Sequence, residues 1–65
     1  MDIEYGFYDD KLYMIIHGVH INPWNWKIEK EDDDSITLST TEIIPRHVLE
    51  MKINQLKASM FMPNQ

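Results

Sequence analysis

A run of four acidic residues, Glu31 to Asp34, is the feature that most constrains how this chain can fold. Adjacent carboxylates repel one another and cannot be buried without partners, so the run has to lie in water at a turn. The segments on either side, residues 24–30 and 35–41, must then fold back on each other. The run is also the densest negative charge in the chain, which makes it the first candidate for a docking surface.

The chain is 65 residues long and contains no cysteine. This length holds one domain with one core, and a domain this short is marginally stable unless it is cross-linked or associates. Hydrophobic residues make up 43% of the chain, which is enough for a compact core. Without cysteine, disulfides and thiolate metal sites are excluded, and a reducing compartment is expected.

Neither a secretory signal nor a membrane span is predicted. The residues Met1–Glu4 are acidic where a signal peptide would be basic, and the longest apolar run, 12–16, is too short to cross a bilayer. We therefore expect a cytoplasmic protein, in the host cytoplasm if it is phage-encoded, with no membrane partner.

Alternating hydrophobic residues at positions 3, 5 and 7 predict a half-buried strand over residues 3–8. Asp9-Asp10 then forms a two-residue turn into a second strand, predicted over residues 11–21. Gly18 indicates a bulge in that strand or a close approach of another backbone segment, and Asn22-Pro23 ends the strand. With this turn, three apolar pairs fall on one face: Phe7 with Leu12, Tyr5 with Met14 and Ile3 with Ile16.

A second hairpin is predicted from strands over residues 24–30 and 35–41. Pairing position 28 with 38, 30 with 36 and 26 with 40 puts the apolar members on one face. The acidic run is then the tip of this hairpin, in agreement with the argument from repulsion.

From Pro45 onward the period becomes that of an amphipathic helix, predicted over residues 45–61 with a tail over 62–65. Pro45 suits a first helical position, and Pro63 stops the helix. The apolar stripe that faces the sheet is Leu49, Ile53, Leu56 and Met60, widened by Val48. The predicted fold is a small single α+β domain: a four-stranded antiparallel sheet (a ββββ meander) with one C-terminal α-helix packed on one face.

The net charge of −5 is unevenly distributed along the chain. Residues 1–44 contain ten acids and three bases, or −7, and residues 45–65 contain one acid and three bases, or +2. Phosphate binding needs clustered lysine and arginine, so nucleic acid is not expected as a direct partner. A basic surface on another protein, such as a DNA-binding groove, is the natural complement.

No constellation of residues points to catalysis, and an enzyme is not predicted. Cysteine is absent, no Gly-rich phosphate loop is present, and no serine has a histidine and an acid arranged around it. A weaker alternative is a metal-binding regulator that uses His17, His20 and His47. Because positions 17 and 20 point to opposite faces of a strand, we predict no metal site and no cofactor.

Two aromatic regions are candidate contact surfaces. Trp24 and Trp26 lie on one face of their strand, either both in the core or with one exposed as an interface anchor. The outer face of the first hairpin is more apolar than a solvated face should be: it carries Glu4, Tyr8, Tyr13, Ile15, His17 and Val19. This outer face supports an alternative function, a structural or assembly subunit that acts as a homodimer.

The function that the sequence favours is a small, non-enzymatic acidic inhibitor or modulator of phage or mobile-element type. It would bind a basic site on another protein, and mimicry of DNA at a nucleic-acid-binding site is one form that this binding can take. The predicted partner-binding residues are Glu31, Asp32, Asp33, Asp34, Asp9, Asp10, Trp24 and Tyr13.

A short segment carries a resemblance in the same direction. The string Asp34-Ser35-Ile36, followed by Thr37-Leu38, resembles the Glu-Ser-Ile-Leu segment of uracil-DNA glycosylase inhibitors. In those proteins a strand carries an acid that meets the DNA-binding groove of the enzyme, which implies the same role for Asp34. The resemblance is confined to this segment, where aspartate replaces glutamate, and the order of strands and helices around it differs.

Overall fold

The computed structural model describes residues 2–60, with only the backbone of Met60. Its elements are β1 (Asp2–Tyr8), β2 (Lys11–His17), β3 (Lys27–Glu31), β4 (Ser35–Thr40) and α1 (Arg46–Met60). The strands form one antiparallel sheet. The predicted α+β fold, with a four-stranded antiparallel sheet and one C-terminal helix, is confirmed. Residue 61 of the predicted helix and the predicted tail, 62–65, lie outside the described residues.

The core lies between α1 and the two inner strands. Leu12, Met14 and Ile16 of β2 alternate with half-buried residues, as a strand covered on one face should. The other buried hydrophobic residues of the core come from β4, α1 and the segments that precede β3 and α1: Ile36, Leu38, Leu49, Ile53, Leu56, Trp26 and Ile44. The predicted helical stripe is thereby confirmed at positions 49, 53 and 56.

The order of strands in the sheet is β1-β2-β4-β3, so the predicted meander order is wrong. β4 pairs with both β2 and β3 and occupies an inner position. The physical reason is burial. Ile36 and Leu38 are buried on one side of β4 and Ser39 on the other, whereas all five residues of β3 are exposed. The strand with more surface to bury takes the inner place.

This order requires a crossover segment, residues 18–26, between β2 and β3. β2 ends beside Ser35, at the start of β4, and β3 begins beside Ser39, near its end, so the segment runs the length of β4. The second strand was predicted to continue to residue 21 but ends at His17, because Gly18 adopts a φ of 93°. Beyond this turn Val19 packs partly buried against the core, and not on the outer face as predicted.

A turn held by Asn22 closes the crossover segment. The Asn22 side chain accepts a hydrogen bond from Trp26 N at 2.9 Å and donates one to Trp26 O at 2.7 Å. Asn25 adopts a φ of 59°, a left-handed conformation that asparagine tolerates. The strand predicted over 24–30 therefore begins only at Lys27 and extends to Glu31. Trp26 belongs to the core and Trp24 packs against it, with ring centroids 5.0 Å apart.

The register of the first hairpin is the predicted one. Phe7 pairs with Leu12, Tyr5 with Met14 and Ile3 with Ile16. The turn residues Asp9 and Asp10 adopt φ values of 54° and 63°. Two successive positive φ angles are typical of a type I′ turn, the two-residue connection that matches the twist of the strands.

The register of the second hairpin is only partly the predicted one. Ile28 pairs with Leu38 as predicted, but Lys30 pairs with Thr37, and Glu31 takes the predicted place of Lys30 opposite Ile36. A bulge at Glu29 causes this shift by inserting one extra residue into β3. The predicted pair of 26 with 40 is not part of the ladder, which begins with Lys27 opposite Ser39.

Within residues 2–60, no helix combines the length and the apolar character that a membrane crossing requires.

Replacing the turn Asp9-Asp10 by Asn-Gly is expected to stabilise the protein by about 1 kcal/mol, because a left-handed conformation costs glycine far less than aspartate. Urea denaturation at neutral pH measures this change as a higher midpoint with an unchanged slope. The control is the single variant D9N, which introduces no glycine into the turn. It should therefore raise the midpoint by less than the Asn-Gly variant does. An unchanged midpoint for Asn-Gly would contradict the type I′ assignment.

Candidate functional site at the acidic end of the sheet

The register of the sheet brings two acids from the start of the chain to the acidic run. Asp2 lies opposite His17, and His17 lies opposite Ser35, so β1 and β4 begin at the same end of the sheet. The Glu4 carboxylate is 3.2 Å from His17 Nε2. We call this end of the sheet, which consists of Asp2, Glu4, Glu31, Asp32, Asp33 and Asp34, the acidic end.

Asp32 organises the backbone of the hairpin tip. Its Oδ1 accepts hydrogen bonds from the backbone N–H groups of Asp34 and Ser35, both at 3.0 Å, and from Ser35 Oγ at 3.2 Å. Asp32 N also donates to Ser35 O at 3.0 Å. The hydrogen bond from Asp34 N–H is the main cause that lowers the pKa of the Asp32 carboxyl below its ordinary value of 3.8. Asp32 is therefore a structural residue of the tip.

The other three acids of the run differ in how they are held. The Glu31 carboxylate is 3.2 Å from His20 Nδ1, which ties the tip to the crossover segment. Gly18 N donates to Asp34 O at 2.8 Å, so the backbone at Asp34 is fixed as well. Among the described residues, the carboxylates of Asp33 and Asp34 make no hydrogen bond or ion pair, and both residues are exposed. These two carboxylates are therefore exposed charges that no side chain or backbone group within residues 2–60 pairs with.

The remaining predicted contact residues lie on other surfaces. Asp9 and Asp10 form the turn at the opposite end of the sheet, separated from Asp2 by the length of β1, roughly 20 Å. Tyr13 is half-buried on the outer face, where its ring centroid is 6.4 Å from that of Tyr8. Trp24 is on the helix side and partly buried, with Lys52 Nζ 5.7 Å from its ring centroid. Of the predicted partner-binding residues, only the four acids of residues 31–34 therefore lie together at the acidic end.

A polar network that the sequence did not predict crosses the outer face, which is the side of the whole sheet that faces away from α1. Glu29 accepts a hydrogen bond from the buried Ser39 hydroxyl at 2.6 Å and lies 3.8 Å from the ammonium groups of Lys11 and Lys27. The Ser39 hydrogen bond is the main cause that lowers the pKa of Glu29. The network depends on the bulge at Glu29, which no sequence pattern indicated.

The three histidines do not come together. His17 and His20 pair with different carboxylates, and His47 is the second residue of α1. In the part of the chain that the structure describes, no group of three or more His, Cys, Asp or Glu side chains is arranged to hold a metal ion. The alternative of a histidine-based metal regulator thus gains no support from the geometry.

A scan against protein-family models, a search of curated proteins and a search of solved structures found no match to this chain. The interpretation of the acidic end therefore depends on its own geometry and charge.

We expect the Asp32 carboxylate to make the stability of the tip depend on pH. Because its pKa is lower in the folded protein than its ordinary value of 3.8, the stabilising contribution is complete above that value. It is lost as the pH falls through the folded pKa. Urea denaturation from neutral pH down to about pH 2 measures this loss as a falling midpoint.

The variants D32A and D33A separate the stabilisation by the Asp32 carboxylate from the general electrostatic repulsion among the acids of the tip. D32A removes the acceptor of three hydrogen bonds, so it should lower the midpoint at neutral pH and flatten the acid dependence. D33A changes the net charge equally but removes no hydrogen bond within the described residues, and its midpoint should remain near that of the wild type. Equal effects of the two substitutions would contradict the structural role of Asp32.

Proposed function

We propose that this protein is a small acidic binding protein that docks its acidic end on a basic surface of another protein and so inhibits or modulates it. The observation that carries the proposal is the convergence of acids from two distant parts of the chain, Asp2 and Glu4 from β1 and residues 31–34 from the second hairpin. Lys30 lies next to the tip, but the six carboxylates of the acidic end outnumber it. The field at this end is therefore negative and attracts a cationic partner.

The acidic end is preorganised, which supports a role in binding. The tip is held by the hydrogen bonds of Asp32, by Gly18 N on Asp34 O and by the contact between Glu31 and His20. A surface that is ordered before it binds loses less conformational entropy on association. The carboxylates of Asp33 and Asp34 would thus meet a partner from a fixed scaffold.

Mimicry of DNA is the narrower form of this proposal. A groove that binds nucleic acid presents clustered lysine and arginine to phosphates. The acidic end offers six carboxylates without a matching set of lysines, which suits such a groove electrostatically. The partner would then lose its access to nucleic acid while this protein is bound.

The outer face supports the alternative function, a homo-oligomeric assembly subunit, less well than its sequence suggested. Val19 has left this face for the core, and the ion pairs of Glu29 with Lys11 and Lys27 cross it. The apolar part that remains is small: Tyr8, Tyr13 and Ile15. A patch of this size is ordinary for the surface of a soluble domain.

The docking proposal predicts that neutralising Asp33 and Asp34 weakens binding of the partner, whereas neutralising Asp9 and Asp10, at the other end of the sheet, does not. D33N/D34N and D9N/D10N remove the same charge, and asparagine tolerates the left-handed turn at positions 9 and 10. A partner is first identified by co-purification with the wild-type protein from its native host, then purified. Titration calorimetry should show that D33N/D34N weakens its binding roughly tenfold, whereas D9N/D10N has little effect.

Salt provides the second measurement. Binding of the wild type should weaken steeply as the KCl concentration rises, and D33N/D34N should have a shallower dependence than D9N/D10N. Competition with a DNA duplex for the same partner then tests the narrower proposal. Equal losses for the two double variants would refute docking at the acidic end, and simultaneous binding of DNA would refute mimicry.

A further inference from the structure

The two edges of the sheet differ in how they are protected against pairing with another strand. β3 has a bulge at Glu29, and four of its five residues are lysine or glutamate, features that discourage strand addition. β1 has neither: it is a seven-residue strand without proline, and its register with β2 is continuous from Asp2 to Tyr8. Within the described residues, β1 is therefore the edge that is open to a further strand.

Hairpin geometry determines which backbone groups of β1 point away from β2. In a two-residue hairpin, the residues that flank the turn, here Tyr8 and Lys11, form a pair in which each N–H donates to the C=O of the other. From this pair toward the start of β1, non-hydrogen-bonded and hydrogen-bonded pairs alternate. The residues of β1 in the non-bonded pairs turn their N–H and C=O groups outward. These residues are Ile3, Tyr5 and Phe7, whose outward donors and acceptors are evenly spaced along the edge.

We propose that this edge binds β1 of a second copy of the chain in an antiparallel arrangement with a two-fold axis at Tyr5. Tyr5 then pairs with Tyr5 of the second copy, and Ile3 pairs with Phe7 of the second copy. All three outward-facing residues of each strand exchange hydrogen bonds, and the full length of β1 is used. The product is one continuous eight-stranded sheet.

The charges on β1 select this register. With the axis at Tyr5, Glu4 lies opposite Gly6 of the second copy and Asp2 lies opposite Tyr8, so no acid faces an acid. Moving the axis to position 4 would place Glu4 directly opposite Glu4, which is unfavourable. Moving it to position 6 would leave Asp2 and Ile3 unpaired.

The exposed hydrophobic groups along this edge favour the same partner. Phe7 is 64% exposed and Tyr5 36% exposed, although both lie on the side of the sheet that faces α1. The helix leaves Phe7 uncovered because its buried residues lie over β2 and β4, whereas the Tyr5 hydroxyl donates a hydrogen bond to the carboxylate of Glu50 in α1 at 3.4 Å. Pairing would place Ile3 of the second copy beside Phe7 and cover apolar surface that the monomer leaves in water.

The charge of the protein sets the expected dependence on salt. The pairing brings Asp2 close to the Asp9-Asp10 turn of the second copy, and each copy has a net charge of −5. Screening of this repulsion should make the dimer tighter as salt rises, opposite to the salt dependence of the proposed docking. The antiparallel arrangement also puts the two acidic ends at opposite ends of the joint sheet.

A matched pair of substitutions at Gly6 tests the register. A Cβ at Gly6 would meet no atom within 4 Å and φ is not positive there, so G6K and G6E should both be accommodated in the monomer. In the proposed dimer each new side chain lies opposite Glu4 of the second copy. Sedimentation equilibrium at moderate ionic strength, with roughly 10 μM to 1 mM protein, should show a dimer in which G6K has a dissociation constant about tenfold lower than G6E.

Two controls isolate the β1 edge. Q55K and Q55E change the net charge identically at an exposed position of α1 away from this edge, and their dissociation constants should differ much less than those of G6K and G6E. Y13E places a charge on the outer face and should leave the dimer intact. Circular dichroism establishes that each variant is folded, and comparison of G6K with the wild type provides the test if G6E does not fold.

The results that would overturn the proposal are distinct from those that would refute docking. A wild-type protein that is monomeric over the whole range, or equal dissociation constants for G6K and G6E, would exclude the paired edge. Loss of the dimer in Y13E would assign association to the outer face instead. None of these measurements involves the basic partner, so either proposal stands or falls without the other.

Discussion

The pairing of β2 with β4 is the contact on which the rest of this structure depends. Met14 and Leu38 face each other across these strands and are fully buried, and α1 covers them with Leu49. A chain of 65 residues has only one such core, and β4 has two apolar residues to place under the helix, Ile36 and Leu38, whereas β3 has only Ile28. This difference places β4 inside the sheet and moves β3 to its edge.

The inner position of β4 has consequences on both sides of the core. The crossover segment has to run the length of β4, and it contributes Trp26 and part of Trp24 as a second cover beside α1. Trp24 and Trp26, one of which the sequence allowed as an exposed interface anchor, thereby help to complete the core. β1 and β3 become the two edges, and the bulge and charges of β3 protect only one of them.

The acidic end results from the same strand order. Because β4 lies next to β2, its first residue is beside His17, and the tip of the second hairpin and the start of β1 lie at the same end of the sheet, on either side of β2. The repulsion that this gathering of acids entails is relieved locally, by hydrogen bonds to Asp32 and by the histidines beside Glu4 and Glu31. The carboxylates that are left without such relief, Asp33 and Asp34, are the ones that a cationic partner would stabilise.

The sequence by itself determined the elements that depend on local patterns. Alternation and the Asp9-Asp10 turn predicted the register of the first hairpin, the acidic run predicted a hairpin tip, and the period after Pro45 predicted the helix. Only the tertiary structure decided the strand order, the bulge at Glu29 and the end of β2 at Gly18, because these depend on which strand buries more surface and on contacts between distant residues. The acidic end was therefore predictable only in part. Residues 31–34 are adjacent in the sequence, but Asp2 and Glu4 lie at the same end of the sheet only because β4 is beside β2.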